Sequence, residues 1–335
     1  MTADSEMRGE REHGLATAIG RLGVWDAGLC FAPAAAARSA AAELEAAGYG
    51  AAWLHEGGRD AFVGAAILLE ATRSLTVGTS IASIWRHEPD AMVDAARTLG
   101  EAFPGRFVLG IGIAHAGAAS WRGRAYNRPF SDLSDYLDAM GVVSWPGPRP
   151  DPPVPLMIAA LGPRMLELAR RRSRGAIPYL VPVEHTRLAR AALGTDPVLA
   201  VQQAIVVDQP RQRAGELARE FVARYLPWPN YRSNLLRCGF AERDLEDGGS
   251  DRLIDALVAI GDTDTVAARV QAHLDAGADH VCVDPLGRAF NEVPIAQLCE
   301  LAAKMGDSAH ALQADRLVLS GIAPTTNSRQ EDELR

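Results

Sequence analysis

Three clusters place chemically useful residues at informative spacings. His55 and Glu56 are adjacent and directly follow the apolar run Ala51–Leu54. His115 closes the segment Arg106–Phe107–Val108–Leu109–Gly110–Ile111–Gly112–Ile113–Ala114–His115, in which Gly110 and Gly112 interrupt an apolar run. In Ala159–Ala160–Leu161–Gly162–Pro163–Arg164, a third apolar run ends in small residues before a proline and an arginine. An imidazole with an unperturbed pKa near 6.5 exchanges protons at neutral pH, and a neighbouring carboxylate extends that capacity. Glycines let another molecule approach the backbone closely. Proline is pre-organised for the first position of a helix, whose exposed N–H groups and dipole favour a phosphate, and Arg164 would add charge there. The clusters point to a site for a phosphorylated ligand with proton-exchanging groups at its rim. The third also fits a plain strand-to-helix boundary, and a lone histidine such as His115 also fits a structural role. His55 also fits a place in the wall, because neighbours on a strand alternate faces.

Further candidates lie nearby. Trp85–Arg86–His87 follows the third apolar run, and Trp121, Tyr126 and Arg128 fall in a long excursion after the fourth. Long loops beside a site commonly form lids or substrate walls, so Trp85, Trp121 and Tyr126 are candidate substrate contacts, although the two tryptophans also fit packing roles. Tyr225–Leu226–Pro227–Trp228–Pro229–Asn230–Tyr231 opens a second excursion suited to cap a pocket or to form a dimer contact. No GxSxG, HExxH, Walker or EF-hand pattern occurs, and Asp, Glu and His do not cluster at metal spacing, so no metal is expected.

These residues need a scaffold. Of the 335 residues, 48% are hydrophobic, enough for one large core. The net charge of −8 argues against a nucleic-acid partner. Cys30, Cys238, Cys282 and Cys299 form no CxxC pair and read as reduced, which fits a cytoplasmic protein. Residues 1–20 lack an apolar leader, and no apolar run is long enough to span a membrane. Strand-like and helix-like segments alternate. Strands are expected at Leu22–Leu29, Ala51–His55, Leu75–Ser83, Arg106–Ile113, Val154–Leu161, Ala176–Val181, Leu199–Val207 and His280–Val283. Helices are expected at Pro33–Ala47, Asp60–Ala71, Pro89–Ala102, Pro129–Met140, Pro163–Arg172, Glu184–Leu193, Arg211–Tyr225, Thr265–Ala276 and Pro294–Met305. Eight such strands imply an α/β fold, a (β/α)8 TIM barrel over residues 21–306, with insertions after strand 4 (His115–Asn127) and strand 7 (Leu226–Ile260). An open doubly wound sheet is the alternative. Residues 1–20 and 307–335 read as polar extensions, the tail being too poor in apolar residues to order itself.

The chain resembles the luciferase-like monooxygenase superfamily, and within it a group of oxidoreductases that use coenzyme F420. The resemblance runs from about Leu22 to Leu286. It is carried by Gly48–Tyr49–Gly50–Ala51–Ala52–Trp53–Leu54–His55–Glu56–Gly57, by Thr79–Ser80–Ile81–Ala82–Ser83–Ile84–Trp85, by Phe103–Pro104–Gly105–Arg106 leading into the Gly110–Gly112 run, by Ala159–Arg164 with Met165, and by Gly277–Ala278–Asp279–His280–Val281. It implies a bulge at Ser80–Ile81 with a non-proline cis peptide, lying under the central ring of a deazaflavin. It implies cofactor contacts from Ser80, Ile81, Gly110, Gly112, Ala159, Ala160, Gly162, Pro163 and Arg164. Relatives carry an acidic residue followed by histidine after the second strand. Here the matching positions are Glu56 and Gly57, with His55 before the acid, which departs from the pattern. His115 stands where relatives place an acidic acid/base. The expectation is an F420-dependent oxidoreductase that moves a hydride between the deazaflavin and a small organic substrate, with His115 as the first proton-handling residue and Glu56 the second. The same fold leaves open an FMN-dependent two-component monooxygenase served by a separate reductase, or an inert flavin-binding protein. The resemblance also implies a homodimer.

Overall fold

The protein is described here from a computed structural model covering residues 14–207 and 209–306; the expected C-terminal tail and the first 13 residues lie outside the described residues. Among the described residues ten strands form one parallel sheet: β1 (Leu22–Trp25), β2 (Ala51–Leu54), β3 (Thr76–Thr79), β4 (Ala82–Ser83), β5 (Phe107–Gly112), β6 (Leu156–Ile158), β7 (Gly175–Ala176), β8 (Val198–Val207), β9 (Val258–Gly261) and β10 (His280–Pro285). The order is β10-β1-β2-β3-β5-β6-β7-β8, and β8 pairs back onto β10 from His280↔Ala200 to Pro285↔Ile205. That pairing closes the barrel and excludes the open sheet. β4 follows the break after β3 and keeps the pairing to β5, so the ring has eight positions.

The helices cover the outside, and their apolar stripes follow the helical period. In Ala34–Ala46 the buried residues are Ala37, Ala40, Ala41 and Leu44, a run of small side chains that brings the helix close to the strands. Asp60, Ser250 and Asp262 cap their helices by accepting backbone N–H groups, as their sequence positions suggest.

The barrel interior is sealed at the N-terminal end of the strands. The Trp53 indole Nε1–H donates to His280 Nε2 at 2.9 Å, and His280 Nδ1–H donates to the Gly20 carbonyl at 2.8 Å. A Cβ on Gly78 would lie 2.4 Å from the Trp53 ring, and one on Gly23 would lie 2.3 Å from the His280 ring. Those glycines therefore make room for the two large rings. Residues 14–19 form a helical turn beneath them, with Leu15 and Ile19 buried in the same cluster. The expected polar extension thus surrenders its last residues to the barrel floor. The open end is the C-terminal one.

Several expected boundaries move. The first strand stops at Trp25 instead of Leu29, because Asp26 accepts from the Gly28 N–H at 2.6 Å and caps a short helix, Ala27–Phe31. The third strand breaks into β3 and β4. The fifth and sixth shrink to Leu156–Ile158 and Gly175–Ala176, the following apolar residues crossing the barrel mouth as irregular chain. The second excursion contains helices Pro229–Arg237 and Asp251–Leu257, and then β9, which pairs only with the outer half of β8. No turn residue separates that last helix from Val258, so the sequence carried no signal for β9.

Candidate active site

The floor of the open end is built at the break between β3 and β4. The Ser80–Ile81 peptide is cis, as the resemblance implied. Thr79 anchors the break. Its hydroxyl donates to the Gly110 carbonyl at 2.8 Å and accepts from the Gly110 N–H at 2.9 Å. The Trp25 indole N–H donates to the Ser80 carbonyl at 2.9 Å. A Cβ on Gly110 would sit 2.0 Å from the Thr79 carbonyl oxygen. At Gly112 it would sit 2.9 Å from Ala159 Cβ and 3.3 Å from the Ile81 side chain. The two glycines thus act differently from expectation. They lie outside the cavity lining and allow the close packing of Ile81 and Ala159, which do line it.

Above this floor lies a cavity of about 590 Å3. Its apolar surface comes from Ile81, Ile113, Ala159, Ala160, Leu161 and Ile177, and its polar groups include His55, Glu56, Arg86, His115, Arg122 and Tyr179. Of the expected substrate contacts only Trp121 lines it, at the mouth and 87% exposed. Trp85 and Tyr126 lie behind the wall. The Trp85 indole N–H donates to the Ile113 carbonyl at 2.7 Å, and the Tyr126 hydroxyl donates to the Ala114 carbonyl at 3.4 Å. Both therefore fix the backbone that delivers His115, including Ala114 at φ +46°.

The titratable groups are tightly held. His55 stacks on Trp25 with ring centres 4.5 Å apart, and burial pushes its pKa down to about 4. Its Nδ1 faces the Cys30 thiol at 3.4 Å, which burial pushes up to about 12. His115 stacks on Trp228, ring centres 5.2 Å apart, with Tyr225 and Tyr231 closing around it. Its Nδ1 is buried without a partner, and burial lowers its pKa. Both imidazoles are neutral at neutral pH. Glu56 is 2.7 Å from His87 Nε2, with both side chains largely buried. An acid–histidine pair is therefore present at the second strand's end, assembled through space from a histidine beyond β4.

The helix Pro163–Arg172 begins at the edge of this cavity, beside Gly162. Arg164 does not turn toward it. Its guanidinium lies over the Phe130 ring, 4.3 Å from the ring centre. The guanidinium that approaches Gly162 is that of Arg237, at the end of the helix Pro229–Arg237, with a terminal nitrogen 3.4 Å from the position a Gly162 Cβ would take. Arg237 also donates to Asn234 Oδ1 at 3.3 Å, and Asn234 Nδ2 is buried without a partner. Free helix-start N–H groups, a guanidinium and an orphaned amide donor fit an anionic group such as a phosphate. Pro163, Arg164, Asn234 and Arg237 are themselves outside the lining. Arg237 and Asn234 were not singled out in the sequence, since nothing local ties them to Gly162. Among the described residues no cluster of metal-ligating side chains occurs.

Comparison with known proteins gives a consistent picture. The family described as luciferase-like monooxygenase matches residues 13–280. An F420-dependent glucose-6-phosphate dehydrogenase of Kribbella flavida is 31% identical over 149 residues, covering 37% of this chain and 45% of that protein. One of Gordonia bronchialis is 23% identical over 267 residues, covering 68% and 78%. The chain thus spans less than half of the first relative and about three quarters of the second. Among solved structures, an F420-dependent secondary alcohol dehydrogenase in complex with an F420–acetone adduct superposes with a TM-score of 0.68 at 17% identity, over 85% of this chain and 98% of the other. The oxygenating constituent of the 3,6-diketocamphane monooxygenase from the CAM plasmid of Pseudomonas putida, in complex with FMN, superposes with a TM-score of 0.62 at 14% identity, over 84% and 96%. At these identities the structural likenesses establish the barrel fold.

Proposed function

The chain belongs to the luciferase-like monooxygenase family, and on that premise we propose that it is a coenzyme F420-dependent oxidoreductase acting on a small organic substrate. The observation that carries the proposal is one continuous cavity. It runs from the Ser80–Ile81 bulge, backed by Trp25, to Gly162 at the start of the Pro163 helix, with Arg237 and its partner Asn234 behind Gly162. Such a cavity fits a flat tricycle at one end and a phosphate at the other. The curated relatives, both named for F420, favour the deazaflavin over FMN.

When bound, the coenzyme supplies the carbon that accepts or returns a hydride. The protein's own residues do the rest. Ser80 and Ile81 support one face of the ring from below. Gly162, Arg237 and Asn234 hold the phosphate. Ile113, Ala159 and Ile177 exclude water, which strengthens every polar contact inside. His115, neutral and lining the cavity, would take a proton from a substrate hydroxyl. Glu56, held by His87, lines the same cavity. A cytoplasmic location, a homodimer and, for the FMN alternative, a separate reductase belong to the same proposal and rest on the family likeness.

A fluorescence titration with coenzyme F420 tests it. Arg237→Ala is expected to weaken binding by about tenfold or more, the effect of losing a charge-assisted hydrogen bond. Arg164→Ala is expected to leave binding within about twofold. Equal effects of the two changes would refute the placement of the phosphate. No fluorescence change with the unaltered protein would refute the function.

A further inference from the structure

A second chamber of about 480 Å3 lies beside the cavity, between the ends of β1 and β10 and the helix Arg211–Ala223. Trp25, His55, Tyr179 and Tyr225 line both spaces and form the partition between them. Two acids stand at the chamber's inner end. Asp26 is two residues beyond Val24 and Asp284 one beyond Val283, and those valines pair across β1 and β10. The two acids are 3% and 4% exposed, and both line the chamber but not the cavity.

Each acid has one open oxygen. Asp26 accepts the Gly28 N–H on Oδ1 at 2.6 Å, and Asp284 accepts from Gln202 Nε2 on Oδ2 at 2.8 Å. Among the described residues no hydrogen bond reaches Asp26 Oδ2 or Asp284 Oδ1, and neither side chain has an ion pair. Arg288 acts on Asp26 only at longer range. The arginines that line the chamber are exposed and engaged elsewhere, Arg224 with Glu220 at 2.9 Å, Arg213 with Glu216 at 3.5 Å and Arg288 with Gln297. Aromatic rings form the adjoining wall. Trp25, Tyr179 and Phe221 follow one another with ring centres 5.4 Å and 6.4 Å apart, and the Tyr179 hydroxyl is hydrogen-bonded to that of Tyr225 at 2.9 Å. Buried acids without a cation, set beside rings whose faces are electron-rich, favour a positive group. We propose that the chamber binds the ammonium group of a small organic amine, with Asp26 and Asp284 accepting its N–H donors and Trp25 and Tyr179 lying against its charge and carbon skeleton. This site stands whether or not the neighbouring cavity takes coenzyme F420.

The donor set selects the ligand class. Two open carboxyl oxygens and a wall of rings match a primary ammonium, which carries three N–H donors and packs well against an aromatic face. A metal ion matches poorly, since no group of three or more metal-ligating side chains occurs among the described residues. Burial raises Asp26 to about 7 and lifts Asp284 well above the ordinary carboxylate range. A cation beside them opposes that shift and favours the ionised forms. At pH 8 Asp26 is mostly ionised even without a ligand, and an alkylammonium, like the lysine side chain, keeps its proton.

Calorimetric titration of the full chain at pH 8 with 2-phenylethylamine tests the site, with 2-phenylethanol and 3-phenylpropanoate as its neutral and anionic counterparts. The amine is expected to bind saturably at one per chain, and each counterpart to bind more weakly by about tenfold or more. Asp26→Asn keeps an oxygen for the Gly28 N–H, and Asp284→Asn keeps one for Gln202. Each is expected to weaken the amine by about tenfold. The two changes are independent, so one that prevented folding would leave the other to decide. Glu56→Gln, in the main cavity, should leave amine binding within about twofold. No saturable binding of the amine, equal binding of 2-phenylethanol, or full affinity in a folded Asn variant overturns the site. So does a loss confined to Glu56→Gln, which would put the amine in the main cavity. The titration uses no coenzyme, so its failure is distinct from failure of the oxidoreductase reading.

Discussion

The two cavity histidines are neutral because burial taxes their charged forms, and Asp26 is raised into the neutral range for the same reason with the opposite consequence for folding. The folded pKa of Asp26, about 7, lies above its ordinary value of 3.8. The folded state therefore binds more protons than the unfolded chain between those values. The stability this group contributes is fully present below 3.8 and is lost as pH rises through 7, up to about 4 kcal/mol in all. Asp26→Asn should remove that loss while keeping the cap on Gly28. Relative to the unaltered protein, the variant should gain stability from pH 5 to pH 8, read from urea midpoints. A constant difference between the two proteins would mean that Asp26 is ionised throughout. At this scale the sequence marked His55, Glu56 and His115 as titratable groups at strand ends, and the structure puts all three on the cavity. It could not show their partners. Glu56 meets His87 across 31 residues, and His115 meets Trp228 from the other excursion. Adjacency to the helix start favoured Arg164, whereas its guanidinium lies over Phe130 and the one that approaches Gly162 is Arg237, 73 residues away in sequence from Arg164.

The element that decides the site is the broken third strand. Periodicity reads Leu75–Ser83 as one run, because nothing in its apolar pattern marks Ser80–Ile81; only the ordered set of family segments did. What makes room for the break lies on β5. Gly110→Ala would drive a methyl group into the Thr79 carbonyl, a backbone atom that cannot rotate away. The expected cost is about 1–3 kcal/mol, with a lowered melting temperature and weaker coenzyme uptake. Gly112→Val should leave the fold largely intact but push Ala159 and Ile81 into the cavity, reducing coenzyme binding more than stability. Gly117→Ala is the matched control, since its Cβ would meet only the Trp228 ring at 3.6 Å, an ordinary contact. Calorimetry and fluorescence titration on the three variants separate these outcomes. Equal binding by Gly112→Val and Gly117→Ala proteins would show that β5 does not shape the floor.

Over the whole molecule, eight strand signals were enough to infer a barrel, but closure depends on β8 finding β10 across four α-helices and β9, a non-local pairing that no local pattern encodes. The closed barrel has an acid liability. His55, His185 and His280 are buried with pKa values pushed down to about 4 from 6.5. For each, the stabilising contribution is present above 6.5 and is lost as pH falls through 4, about 3 kcal/mol apiece. Together they oppose and outweigh Asp26, so urea midpoints should fall steeply from pH 7 to pH 4.5. Stability that rises over that interval would contradict the buried neutral histidines. The most direct test of the functional account is equilibrium dialysis of the purified protein against coenzyme F420 and FMN in the same solution. The account predicts that F420 is retained preferentially, at one per chain, and that Arg237→Ala releases it. Preferential retention of FMN, or of neither, would contradict it.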